Sequence, residues 1–248
     1  VNIFFYRISE HGTDRSAQIL IFLLFIYLLE CFESESPSKV DLLFIYSLFG
    51  TIISLKSFYF LYFAFSVPFF LFILKKEKKI FSSLKVLLLN RYAFYLTLLS
   101  FLIILSYLTN TGCLIYPVTF TCFENFSWSI SKEGVSQMNN WYELWSKAGA
   151  NPNTRVQNPD QYIVGFNWVS NWIDQYFFNK VSDILLGIFF IFLIFFLIFI
   201  KYKKKQNKIQ ISKLVKITYL TLLIIFFEWF YNHPSLRYGG FCIIALIF

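Results

Sequence analysis

Apolar runs of about the length of a membrane crossing alternate along this chain with short polar links. A hydrocarbon core about 30 Å thick takes about 20 helical residues to cross. Backbone polar groups in lipid must be satisfied within the protein, so such runs read as helices. The pattern predicts spans at about 17–33, 41–55, 58–74, 92–109, 184–200 and 214–231, with the start of another at 239–248. Taken as one helix, 41–74 would measure about 51 Å, too long for the core. It is therefore read as two tilted short spans meeting at Ser54–Ser57. The predicted fold class is an all-α polytopic membrane protein with six to seven transmembrane helices and one helical loop domain.

That loop domain is the polar stretch 110–183, which divides an N-terminal membrane region, 1–109, from a C-terminal one, 184–248. It holds Trp128, Trp141, Trp145, Trp168 and Trp172, five of the six tryptophans. Ser136 to Ala148 reads as a helix with Trp141 and Trp145 one turn apart, ended by Gly149 just past the cap. Asn151-Pro152-Asn153 reads as a turn, and Asp160 to Asn179 as a second helix carrying Trp168 and Trp172. Two short helices with such stripes suit a membrane interface, where indole rings are favoured. Residues 80–91 read as an interfacial helix with Lys85 and Arg91 snorkelling from it.

Charge adds an orientation. Lys75-Lys76-Glu77-Lys78-Lys79 and Lys201-Tyr202-Lys203-Lys204-Lys205 each follow an apolar run directly. Cytoplasmic loops accumulate Lys and Arg, so both runs belong inside. The two spans between them then put 110–183 outside, and that stretch carries six acids against four cations. The net charge of +8 is mostly this topology signal, together with attraction to anionic membrane lipid. The basic residues flank spans and form no groove face, which speaks against nucleic acid. Apolar residues make up 57% of the chain and charged ones 15%, below the roughly 25% of soluble domains.

The candidate chemistry gathers on the predicted outer side. In His233-Pro234-Ser235-Leu236-Arg237-Tyr238, Arg237 stands at the mouth of a span, where a guanidinium can grip a phosphate with two hydrogen bonds. His233 can add a donor or exchange a proton. The plainer role for both is anchoring at a membrane boundary. Glu228 lies a turn or two deeper in apolar sequence, where an ionisable group is a functional candidate or a partner for Arg237. Glu10 and Asp14 are candidate general bases, although Thr13 or Asp14 equally suits the cap of the first span. Cys113 and Cys122 can form a disulfide around Tyr116-Pro117 or remain interfacial thiols; Cys31 and Cys242 read as apolar packing. Four cysteines without histidines at ligand spacing predict no metal site. No P-loop, GxSxG, HExxH or Rossmann glycine motif is present. Asn125-Phe126-Ser127 matches a glycosylation sequon.

The stretches Tyr6-Arg7-Ile8-Ser9-Glu10-His11-Gly12 and Thr111-Gly112-Cys113-Leu114-Ile115-Tyr116-Pro117, with Cys122-Phe123, the tryptophan-bearing loop and His233-Pro234-x-x-Arg237-Tyr238, carry a resemblance. Together they resemble multi-spanning proteins of bacterial surface-polysaccharide loci, which look like GT-C-type glycosyltransferases. The resemblance implies an integral protein of the bacterial inner (cytoplasmic) membrane with an extracytoplasmic active site. Its donor substrate would be a polyprenyl-phosphate-linked sugar, and its acceptor a glycan or another lipid-linked group. Arg237 and His233 would hold the lipid phosphate, and Trp141, Trp145, Trp168 and Trp172 would offer flat faces to sugar rings. The family places its catalytic carboxylate after the first span. The chain begins at Val1 and stops inside an apolar run, so it is expected to be a fragment with that carboxylate upstream. Two rivals stand beside this reading. An O-antigen polymerase or ligase would want several loop arginines, of which only Arg155 is present. A non-enzymatic polysaccharide or lipid transporter would want mid-span charge or Gly/Pro breaks, which 92–109 and 184–200 nearly lack.

Overall fold

The computed structural model describes residues 14–33, 38–55, 57–76, 89–151, 155–199 and 212–247. Glu10, the 77–79 part of the first lysine run, residues 80–88, Pro152 to Thr154 and the second lysine run lie outside them. Among the described residues the regular structure is helical, apart from one isolated bridge between Cys113 and Cys122. In chain order come α1 (Asp14–Glu33), α2 (Lys39–Leu55), a 3₁₀ helix (Ser57–Phe65) that runs into α3 (Ser66–Lys76), and α4 (Arg91–Thr111). Then follow α5 (Lys132–Lys147), α6 (Pro159–Ile163), α7 (Val169–Trp172), a π-helical stretch (Ile173–Val181) and α8 (Ser182–Phe199). α9 (Lys213–Asn232), α10 (Leu236–Gly239) and α11 (Phe241–Ile247) complete the order.

Four helical segments are long and apolar enough to cross a membrane: Asp14–Phe32, Arg91–Thr111, Val169–Ile198 and Lys213–Asn232. Val40–Leu55 and Tyr59–Ile73 are apolar but shorter. The protein is a helical membrane protein. The chain leaves the α-helix after Leu55 and re-forms as 3₁₀ from Ser57.

α1 lies at the centre. Ile21, Leu24, Phe25, Leu28 and Phe32 recur at helical spacing and are buried against α2, the 3₁₀ helix, α9 and α11. Lipid tails are as apolar as these side chains, so dispersion and hydrogen bonding hold membrane helices together more than water exclusion does. Polar contacts between helices fit that requirement. The Tyr46 hydroxyl of α2 lies 2.6 Å from the Thr97 hydroxyl of α4, and Gly50 lets Ser100 approach on the same seam.

The outer-loop reading needs a correction after residue 158. The expected second helix, 160–179, is instead the five-residue α6, a break, and then one helical path from Val169 to Phe199. Gly165, at φ +59°, makes the break. From Val169 to Leu186 neither Gly nor Pro interrupts, so the second tryptophan helix runs on into the apolar span. The distal residues of that rod, from Phe189 to Ile198, are exposed on every side and form an unbroken apolar surface.

α5 starts four residues before the predicted Ser136. The Ser131 side chain caps it by accepting the Gly134 N–H. Its end is as the sequence suggests: Gly149 has φ +93°, and the Ala150 N–H reaches back to the Trp145 carbonyl.

Candidate functional site

Pro234 ends α9, because it has no N–H and disfavours helix in the residue before it. The chain that follows, His233 to Gly240, holds only the single turn of α10 and is mostly buried. Buried carbonyls need donors, and here side chains from distant helices supply them. Trp172 Nε1 donates to the Pro234 carbonyl at 2.8 Å, and Trp229 Nε1 to that of Ser235 at 2.8 Å. Gln18 Nε2 of α1 donates to the carbonyls of Leu236 (2.9 Å) and Arg237. The Tyr59 hydroxyl serves Arg237 at 3.0 Å, and the Tyr62 hydroxyl serves Tyr238 at 3.0 Å. The Leu236 N–H in turn donates to the Tyr176 hydroxyl at 2.9 Å. Non-helical backbone among membrane helices persists only when buried and satisfied in this way. Gly239 lies flat on the Trp229 indole, and any Cβ there would collide with the ring.

Asp14 and Arg237, 223 residues apart, meet at this loop. Arg237 Nε donates to Asp14 Oδ2 at 2.6 Å. The Asp14 side chain is 6% exposed and that of Arg237 is 48% exposed. Burial lowers the Arg237 pKa, but the hydrogen bond and charge of Asp14 outweigh it and the net direction is upward. Asp14, a candidate general base by sequence, is here the counter-ion of Arg237.

A cavity of about 500 Å³ adjoins the loop at His233 and Tyr238. Phe60 and Leu61 of the 3₁₀ helix, Ile115 to Val118 and Phe120 form its apolar wall. Asn139, Tyr142 and Glu143 of α5, Glu228 and Asn232 of α9, and His233 and Tyr238 form its polar wall. His233 lines the cavity, and Arg237 stands next to it in the loop without entering the lining. Glu228 Oε1 accepts from Asn232 Nδ2 at 3.0 Å, while Oε2 is buried with no hydrogen-bond partner among the described residues.

His233 is held neutral. Burial first, then the charge of Lys147, bring its pKa from 6.5 down to about 4. The opened chain binds a proton between these values and the folded chain does not. The contribution is therefore intact above pH 6.5 and is lost as pH falls toward 4. Acidifying from pH 7 to pH 5 should cost about 2 kcal/mol through this residue. Thermal unfolding in detergent at both pH values checks it: His233→Gln should remove that share of the pH dependence, and an unchanged slope would refute it.

Four tryptophans were expected to stack on sugars. Trp168 and Trp172 are buried; they pack edge to face with each other, Trp172 meets Phe230 edge to face and Trp168 meets it tilted, which places both indoles in the core. Trp145 meets the Tyr238 ring at 6.1 Å, and Trp141 is exposed outside the cavity lining. Cys113 and Cys122 are joined in a disulfide, while Cys31 and Cys242 are buried thiols. Among the described residues no cluster of His, Cys, Asp or Glu is placed to hold a metal.

The residue that sequence reasoning passed over is Lys147. Its side chain is fully buried. Nζ pairs with Glu143 and donates to the Ile163 carbonyl at 2.9 Å, with the Tyr231 and Trp168 rings 5.0 and 5.4 Å away. The Glu143–Lys147 spacing of one helical turn was the signal for this pair. Gln18 carried none, since nothing local ties it to residue 236.

A family model described as a domain of unknown function (DUF8201) matches residues 1–244. No curated protein and no solved structure shows a significant match.

Proposed function

The chain belongs to the DUF8201 family, and from its own residues we propose that it takes part in glycosyl transfer from a polyprenyl-phosphate sugar at the outer face of the membrane. The observation that carries this reading is Glu228. Its Oε2 is a buried acceptor without a partner among the described residues, and the residue lines a cavity large enough for a sugar. Such an atom is normally met by a hydrogen-bond donor, and a hydroxyl-rich ligand supplies donors. Tyrosine and phenylalanine rings beside carboxylate and amide groups suit a ligand with both apolar faces and hydroxyls. The Cys113–Cys122 bridge fits an oxidising compartment.

In this reading Glu228 Oε2 accepts the proton of the acceptor hydroxyl. The acceptor oxygen bonds to the anomeric carbon, and the bond from that carbon to the phosphate oxygen breaks. Polyprenyl phosphate leaves with the electron pair. Arg237, steadied through Nε by Asp14, stabilises that charge at the mouth of the loop. His233, being neutral, offers a hydrogen bond and not a charge.

The test is turnover in proteoliposomes holding the full chain and a panel of radiolabelled polyprenyl-phosphate hexoses and pentoses. Release of polyprenyl phosphate from at least one donor is expected, and Arg237→Ala should abolish it without affecting insertion. A folded chain that neither turns over nor binds any member of the panel would refute the reading.

A further inference from the structure

The segment after α4 lends Ile115 to Val118 and Phe120 to the cavity wall, and it carries a further feature that glycosyl transfer does not use. Residues 113–130 hold six large apolar side chains that stand exposed: Leu114, Phe120, Phe123, Phe126, Trp128 and Ile130. Phe120 is 88% exposed, and Phe126 and Trp128 stack at 4.9 Å with nearly parallel rings. A contiguous apolar surface of this kind on a folded segment marks an interaction site.

The segment is not loose. The Cys113–Cys122 bridge closes its first half. The Phe123 N–H donates to the Gly112 carbonyl at 2.8 Å, and the Ile130 N–H to that of Thr111 at 3.1 Å. Both hold the segment to the last turn of α4, itself long and apolar enough to cross the membrane.

Its composition selects the occupant. Residues 113–131 contain no Lys or Arg, and their single charge, the exposed Glu124, is occupied in accepting the Lys132 N–H at 2.6 Å. A protein partner held by charge has nothing to grip, and neither has an anionic headgroup. Its height selects it too. Phe120 lines the same cavity as Phe60 and Glu228, which belong to apolar membrane helices. The segment therefore stands level with the ends of the spans and not above them.

We propose that residues 113–130 form a foot that inserts its aromatic side chains into the headgroup–acyl boundary of the bilayer beside α4. Aromatic rings favour that boundary, and insertion by rings alone makes binding indifferent to lipid charge. With the foot embedded, the rim of the cavity at Phe120 lies at the lipid surface.

The test uses the full chain in nanodiscs of phosphatidylcholine alone. Trp128→Cys, carrying an environment-sensitive fluorophore, is compared with Ser136→Cys on the exposed face of α5. Lipid spin-labelled high on the acyl chain should quench the label at 128 about twofold or more, with aqueous iodide ineffective, and the label at 136 should respond the opposite way. Equal response of both labels to iodide would overturn the proposal. So would protection of position 128 from both quenchers, which would mean a second copy or a protein partner covers it. Phe126→Ser combined with Phe123→Ser should shift position 128 toward iodide while the disulfide stays formed. No shift in that variant also counts against insertion. None of these readings depends on transferase activity.

Discussion

Replacing Glu228 with Gln is expected to slow glycosyl transfer by roughly 10²- to 10⁴-fold, the usual contribution of a positioned proton acceptor. The change is nearly isosteric and leaves an oxygen for Asn232 Nδ2, so α9 and the cavity should keep their shape. What disappears is the buried acceptor: an amide nitrogen at the place of Oε2 presents hydrogens toward the incoming hydroxyl. The loss should fall on kcat, since the proton moves only as the new bond forms. Initial rates in the proteoliposome assay, beside a thermal melt, separate chemistry from folding. Transfer within about threefold of wild type would remove Glu228 from the reaction. Glu143 is the natural comparison in the same cavity, because Lys147 already satisfies it.

Lys147→Met should be the most damaging single change to stability. The methionine chain can occupy the space beside Trp168 and Tyr231, so packing is largely kept. Glu143 and the Ile163 carbonyl lose their donor, and a carboxylate only 19% exposed is left uncompensated. Removing one partner of a buried pair costs about 3–5 kcal/mol. Because Glu143 borders a cavity that water can enter, about 3 kcal/mol is the expected loss. Glu143→Gln added to Lys147→Met should recover a good part of it, because no charge then remains to be desolvated. Thermal unfolding of the two single variants and the double variant gives the coupling, and simple additivity would mean that the pair is not what holds α5.

These two residues also show what a reader of the sequence can and cannot recover. Helical membrane character was legible because it depends on composition and run length alone. So was the Gly149 stop, a matter of one residue's conformational freedom. The burial of Trp168 and Trp172 was missed because their spacing looks alike whether they face a sugar or a core; it is set by Phe230, some sixty residues further on. Asp14 appeared as a base or a cap because Arg237, its partner, is 223 positions away. Glu228 drew attention as a charge in apolar sequence, but the unmet oxygen that gives it a task exists only once Asn232 has taken the other one. Sidedness is read from the lysine runs, which reflect charge distribution along the chain and not packing.

The carbonyls of the His233–Gly240 segment have a consequence for how the protein matures. Their donors come from residue 18 at one extreme, from 59 and 62, and from 172 and 229, so the segment cannot take its shape while any of those helices is still unpacked. Contacts closed across two hundred residues form late. Assembly therefore ends at the very place where the Asp14–Arg237 pair and the cavity adjoin, and a lesion in any one helix, however remote in the chain, leaves that place unbuilt.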